Sequence, residues 1–395
     1  MSSPSHSAAS SALGYLYQSQ WPLLELLRRS DERPDAAITL ELHDDVAWET
    51  GRSPVELLQL KHHTHTGRSL GDKDMDIWRT IRAWMDTVSV SDPAGPLLTM
   101  VTTQIAAAGS AAALLRPTDR DPVEACRLLE NAAVESKNEA SASNREAFLN
   151  LTAAARAVFV GRIYVLDNAP HIGDLDDEIR RALRFVLPRG HEDTFMGLLW
   201  NWWHAKAVDL LLGKQRAVTA VDVMVQVDDI RDQFAHDNLP TLVGPDSLDA
   251  TEQAAYLDHR FVHQMRWVGM PPVLIQKAII DYYRAYQQSA GWVEDDLIGW
   301  DKLASFEDKL RDEWEREFEW MIASLPPDAD DSVKQEAGRQ LLRDALGRAF
   351  RIRERYNEPF FCRGKHHELA DRELVGWHPE FRILLESLLL PAVNA

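Results

Sequence analysis

Strand-like runs are confined to the first part of this chain. Three of them fall close together, at residues 37–43, 45–50 and 55–63. Their connections are only a few residues long, so they read as a meander. Two more runs, PLLTMVTTQ (96–104) and GRIYVLD (161–167), are set apart by helical stretches. The first of these is continuously apolar, the pattern of a strand buried on both faces. From about residue 173 no convincing strand pair occurs. The order helix, three strands, helix, strand, helices, strand describes an α/β sheet domain with covering helices, followed by an all-α domain.

The helical segments carry their own signatures. In 11–29, Leu13, Leu16, Tyr17, Leu23, Leu24 and Leu27 form an apolar stripe, which Pro22 kinks or restarts. In 74–88, Ile77, Trp78, Ile81, Trp84 and Met85 recur at helical spacing. A helical stretch at 122–160 is interrupted by the polar ESKNEASASN segment. Farther on, DKLASFEDKLRDEWEREFEWM sets Leu303, Phe306, Leu310, Trp314, Phe318 and Met321 on one face. Loops are marked by LPTLVGPDS (239–247) and SLPPDADDS (324–332). The Ser/Ala-rich residues 1–10 are expected to be unstructured. The expected division is therefore 1–10, an α/β domain over 11–172, and a helical domain over 173–395.

Composition narrows the function classes. Of 13 Trp, nine follow residue 190, which fits bulky helical core positions or a large interaction surface. Two cysteines, Cys126 and Cys362, are too few for a disulfide framework and read as free thiols. The start of the chain lacks the basic flank and apolar centre of a signal peptide, and no apolar run is long enough to span a bilayer. The expected location is the cytoplasm. The net charge is −19, with 20 basic and 26 acidic residues up to 190 and 23 and 36 after it. Phosphate contacts supply most of the affinity for nucleic acid, so binding to it requires a local basic surface or several copies acting together. Arg52, Lys61, Arg68, Lys73, Arg79 and Arg82 follow the first strand and are candidates for that surface, with a solvated charged face as the alternative for each.

The meander also carries polar groups that a hydrophobic strand avoids. On the third strand, alternation puts Val55, Leu57, Gln59, Lys61 and His63 on one face and Leu58 and Leu60 on the other. On the first, Glu41, His43 and Asp45 share a face if the strand stays extended that far. Adjacent strands lie about 4.8 Å apart, so the two faces can meet around one cation. Phosphodiester hydrolysis needs a hard cation, a positioned water and charge compensation at the phosphate. Asp45 offers a carboxylate, Gln59 an amide oxygen and Leu60 a backbone carbonyl, all ligands suited to Mg²⁺ or Mn²⁺. Lys61 would orient the water and stabilise the charge that builds at phosphorus. A Lys ending a strand is also common edge protection, and Asp-Asp is common in turns. Spacing alone leaves both readings open.

Asp45…Gln59-Leu60-Lys61 resembles the PD-(D/E)xK nuclease pattern in its variant with Gln on the third strand. GYLYQ (14–18), LELHDDV (40–46), LLQLKHH (57–63), DIWRTIRAW (76–84) and LLTMVTTQ (97–104) together resemble one branch of it. That branch comprises bacterial antiviral effector nucleases attached to CD-NTase systems, Lamassu and ABC-three-component systems. RWVGMPPVLIQKAIIDYYRAYQQSAGWVEDDLIGW and FEDKLRDEWEREFEWM resemble the helical C-terminal domains of ABC-three-component effectors. The resemblance implies a restriction-endonuclease-like fold for the first domain. It makes Asp45, Gln59 and Lys61 the catalytic triad, Asp45 and Gln59 the metal ligands, and Gln18, Glu41, Asp44 and His63 supports. It implies duplex DNA as substrate, an SMC-like ATPase and a small third subunit as partners, and a homo-oligomer when active. Gln59 in place of Glu is a departure, because a neutral amide holds a cation less strongly than a carboxylate.

The remaining motifs point elsewhere. His62, His63 and His65 suit a transition metal, but no Cys or distant matched pair accompanies them. HRFVH (259–263) lacks the Glu of a zinc-protease helix. FFCRGKHHE reads as a loop or helix start. No Walker A loop, GxGxxG or GxSxG occurs, so the chain is not itself an ATPase. The expectation is a Mg²⁺-dependent DNA endonuclease effector of an antiphage complex. The alternative is a degenerate nuclease-like scaffold that only docks partners or DNA.

Overall fold

The computed structural model describes residues 8–63, 69–245 and 248–389. His65 and Arg68 lie outside them. The chain divides into two compact units, 1–230 and 231–395.

In the first unit, α1 (Ala8–Arg29) leads into the meander β1 (Ala37–Leu40), β2 (Val46–Thr50) and β3 (Ser53–Lys61). Helix α2 (Met75–Thr87) and strand β4 (Leu97–Thr102) follow. Next come α3 (Ala111–Leu114), α4 (Pro122–Glu135), α5 (Ala142–Leu149), α6 (Ala153–Gly161) and β5 (Ile163–Leu166). The unit goes on with α7 (Leu175–Ala182), α8 (Glu192–Leu211) and β6 (Val218–Thr219), and the division falls in the last turn of α9 (Ala220–Asp232). The strands form one mixed sheet in the order β5-β4-β3-β2-β1-β6. The meander pairs antiparallel as expected, while β3, β4 and β5 run parallel.

Alternation along β3 sorts the two faces. Leu57, with Ala47, Leu98, Met100, Ile163 and Val165, packs under Ile77, Trp78, Ile81 and Trp84 of α2. Asp74 caps that helix, its carboxylate accepting from Asp76 N at 3.1 Å. On the opposite face Glu56 meets Arg29 of α1 at 2.8 Å and accepts from Thr99 Oγ1 at 2.7 Å. Arg29 also pairs with buried Glu25 and lies over the Trp48 ring. The buried charge on this face is therefore paired, as burial demands. Pro22 sits inside α1 without ending it.

Three features differ from the sequence expectation. Strand β1 stops at Leu40, because Glu41 takes a left-handed conformation at φ 52°. Residues 41–45 are a turn, so Glu41, His43 and Asp45 do not share a strand face. Helix α1 begins at Ala8, within the stretch expected to be unstructured. The expected boundary fell at 172/173, whereas the compact units divide between Ile230 and Arg231. The two-residue strand β6 explains the longer first unit: Val218 and Thr219 pair with Ile38 and Ala37 of β1. A strand that short has no periodicity to read.

The second unit is helical: α10 (Ala250–Ala254), α11 (Arg260–Trp267), α12 (Pro272–Glu294), α13 (Trp300–Ser324), α14 (Asp331–Gly347), α15 (Pro359–Asp371) and α16 (Phe381–Leu389). Leu303, Phe306, Leu310 and Trp314 of α13 are buried as expected, with Phe318 and Met321 partly so. FFCRGKHHE opens the buried helix α15 from its second residue, the helix start of the sequence reading and not the loop. Within it, Lys365 is buried between Glu307 and Glu368, at 2.7 and 2.6 Å. Burial lowers the His366 and His367 rings to about 4 and about 3, so both are neutral at physiological pH. Gly364 lets α15 lie against the backbone of α12 at Asp281. Both cysteines are buried free thiols. No described helix is long and apolar enough to cross a membrane.

Candidate active site

The site forms where β3 outruns β2. The β2–β3 ladder ends at the pair Val46–Leu58, whereas the β3–β4 ladder continues to Lys61–Thr102. On its open side, Leu60 N donates to Asp45 Oδ2 at 3.0 Å. A side-chain carboxylate thus takes the place of the missing backbone acceptor and fixes the 41–45 turn against the strand. The turn is closed by Glu41 N donating to Asp45 O at 3.2 Å.

Gln59 is 7% exposed and sits at the centre. Its Nε2 donates to Asp44 Oδ1 and, at 3.3 Å, to Asp45 Oδ1. Its Oε1 accepts from Lys61 Nζ at 2.8 Å. Asp44 also accepts from Asp45 N at 3.0 Å and from the Trp84 indole at 2.8 Å. Burial is the main cause that pushes the Asp44 carboxyl up, and the neighbouring Asp45 charge adds to it; bonds from Gln59, Asp45 N and Trp84 offset part of the rise, leaving it at about 6. The structure thus brings Asp44, Asp45, Gln59 and Lys61 into one connected group.

The supporting residues are placed unevenly. Glu41 is exposed, and its carboxyl is pushed up by desolvation and then by the charges of Asp45 and Asp44. His63 lies just past Lys61, with Nε2 2.6 Å from Asp76 Oδ2 at the start of α2. Burial would raise the Asp76 carboxyl, but His63, Lys61 and Arg79 hold it below its ordinary range. Gln18 is half-buried on α1 and is not part of the bonds joining Asp44, Asp45, Gln59 and Lys61. His43 turns away to buried Glu49, at 2.6 Å. Arg52 occupies the β2–β3 turn, at the hairpin end remote from Gln59. About eight residues of strand separate the two ends, roughly 25 Å. Exposed Lys73 pairs with Glu135 at 3.1 Å.

Two participants were hidden in the sequence. Trp84 reads as one more core position on the α2 stripe, yet its indole nitrogen holds Asp44. Asp76 falls in a helix N-terminal turn, where an acidic residue needs no further reason. Only the recurrence of both within the DIWRTIRAW segment pointed to them.

The donor set is oxygen-rich and anionic, which suits a hard divalent cation in kind. Among the described residues, no group of three or more His, Cys, Asp or Glu is arranged to hold a metal ion. At the candidate site two carboxylates meet, those of Asp44 and Asp45, and the Gln59 NH₂ faces both. Turning that amide over presents Oε1 in its place, completing a set of Asp44, Asp45 and Gln59. With that torsion changed, these three residues would offer such an ion two carboxylates and one amide oxygen.

Comparison with curated proteins and with solved structures gives no match. Residues 261–385, in the second unit, match the family described as C-terminal domain 7 of the ABC-three component (ABC-3C) systems. That match supports membership of the chain in an ABC-three-component system.

Proposed function

We propose that this chain is the metal-dependent DNA endonuclease effector of an antiphage ABC-three-component system, and that its first unit is a restriction-endonuclease-like nuclease domain. The observation that carries the reading is the bonded group Asp45, Gln59 and Lys61 at the open end of β3. A divalent cation bound there supplies Lewis acidity at the phosphate and an activated water. Asp45 and Gln59 would hold the ion, with Asp44 sharing its charge. Lys61, freed from Gln59 when the amide turns, compensates the negative charge that develops on the scissile phosphate. His63 and Asp76 hold the chain just past Lys61 against α2.

Net charge bears on control. A chain with a net charge of −19 binds DNA weakly as one copy. Several copies on one duplex multiply weak contacts into avidity. The reading is of an effector held by an ATPase partner and a third subunit, and active as a homo-oligomer.

One observation favours a second reading. The Gln59 amide already satisfies the two carboxylates without a cation, as a degenerate nuclease scaffold would. Asp45→Ala separates the two in cells challenged with phage. A nuclease loses protection while the protein stays folded and abundant; a scaffold that only docks partners keeps it.

A further inference from the structure

The second unit has an apolar groove that the proposed cleavage does not use. It lies between α13 and α14 and has a volume of about 490 Å³. Trp320, Met321 and Leu325 form one wall, Val333 and Leu341 the other. Trp320 is 71% exposed and Val333 40%. A large aromatic left this open beside other apolar groups marks a binding surface rather than a core position.

Carboxylates surround the groove. Glu317, Glu336 and Asp344 stand at its edge. A second depression, also lined by Trp320, is bordered by Asp312, Glu315 and Glu319, with Arg316 paired to Asp312. Arg348 answers Glu317, and Arg339 answers Glu336. Among the described residues, no ion pair joins Glu315, Glu319 or Asp344 to a basic side chain. Residues 312–344 hold ten Asp and Glu against four Lys and Arg.

We propose that this groove docks a basic amphipathic helix of a partner protein. Apolar side chains at i, i+3 and i+4 of such a helix fill the slot beside Trp320. Its Lys and Arg reach the unanswered carboxylates, and one cation can stack on the open indole face. Nucleic acid is repelled by the same carboxylates. A second copy of this chain would set the acidic ring against itself in a two-fold contact, with like charges opposed. The groove lies inside residues 261–385, and no residue of the candidate active site enters the inference.

The probe is a synthetic amphipathic helix of Leu and Lys, fluorescently labelled, with a Leu/Glu helix as control. Binding to the full-length chain is read by anisotropy. The Lys helix binds and weakens with salt, and the Glu helix does not bind. Trp320→Ala and the pair Glu315→Lys with Glu319→Lys each weaken binding by at least about tenfold. Trp300→Ala removes another exposed indole of α13, outside the groove, and leaves binding unchanged. Circular dichroism confirms that each variant keeps its helical content. Undiminished binding to Trp320→Ala, or equal binding of the Glu helix, overturns the proposal. So does a wild-type dimer that Trp320→Ala converts to monomer, because a second copy would then be the occupant.

Discussion

The indole Nε1 of Trp84 donates to Oδ2 of Asp44 at 2.8 Å, tying helix α2 to the β1–β2 turn. Trp84 is buried among apolar neighbours, so its one polar atom is committed to the candidate site. Replacement by Phe keeps most of the packing and removes the donor. Asp44 then loses a bond that favours its ionised form, and its carboxyl rises further. The expected cost is about 1–3 kcal/mol at neutral pH, the range for leaving a buried acceptor unmet. Urea unfolding of Trp84→Phe measures it.

Gln59→Glu restores a carboxylate at the centre of the group. Without a cation it sets a third negative charge against Asp44 and Asp45, and like charges at that range disfavour ionisation. The variant should melt below wild type in EDTA. In Mg²⁺ it should recover more than wild type does, because an anionic ligand binds the ion more strongly than an amide. Paired thermal melts check both halves of the prediction.

The raised Asp44 carboxyl gives stability a pH signature. Its ordinary value is 3.8 and its folded value about 6, so the folded chain holds this proton more tightly than the unfolded chain. Its contribution is therefore full below about pH 4 and lost as pH rises through about 6. A cation works in the opposite direction, since it needs the ionised carboxylate. Stabilisation by Mg²⁺ should grow as pH rises through about 6 and be small at about pH 5. Equal Mg²⁺ shifts at both ends of that range would count against the site.

Gly364 is the close-approach point of the second unit. A methyl there would drive into the Asp281 carbonyl oxygen and the Ala285 side chain. Gly364→Ala should separate α12 from α15 and cost about 1–3 kcal/mol, the usual penalty of overpacking. Because the clash lies in the second unit, the effect should appear in its unfolding transition. Hydrogen exchange over α12 and α15 locates it.

Much of the architecture was legible because long elements carry strong periodicity. The α13 stripe, the α2 stripe and the three meander strands follow from spacing alone. Gln59 and Lys61 could be set on one face because strand alternation is strict. The end of β1 could not be read: ITLELHDD continues a strand-like pattern, and the left-handed Glu41 that breaks it shows no Gly signal. That break decides the site, since it turns Asp44 and Asp45 toward Gln59 and leaves His43 with Glu49. Arg52 shows the matching weakness of charge counting. It follows the first strand closely in sequence yet occupies the far end of the hairpin. FFCRGKHHE read as a loop or helix start, and its Arg, Lys and two His hid the burial of His366 and His367.

The central claim is most directly tested by plasmid cleavage with purified protein, in Mg²⁺ and in EDTA, on monomeric and assembled fractions. The account predicts Mg²⁺-dependent cutting by wild type, strongest in the assembled fraction. It predicts a loss of at least about a hundredfold in folded Lys61→Ala, the scale of removing one group that stabilises transition-state charge. Cutting by Lys61→Ala at the wild-type rate, or no Mg²⁺-dependent cutting by wild type in either fraction, would contradict it.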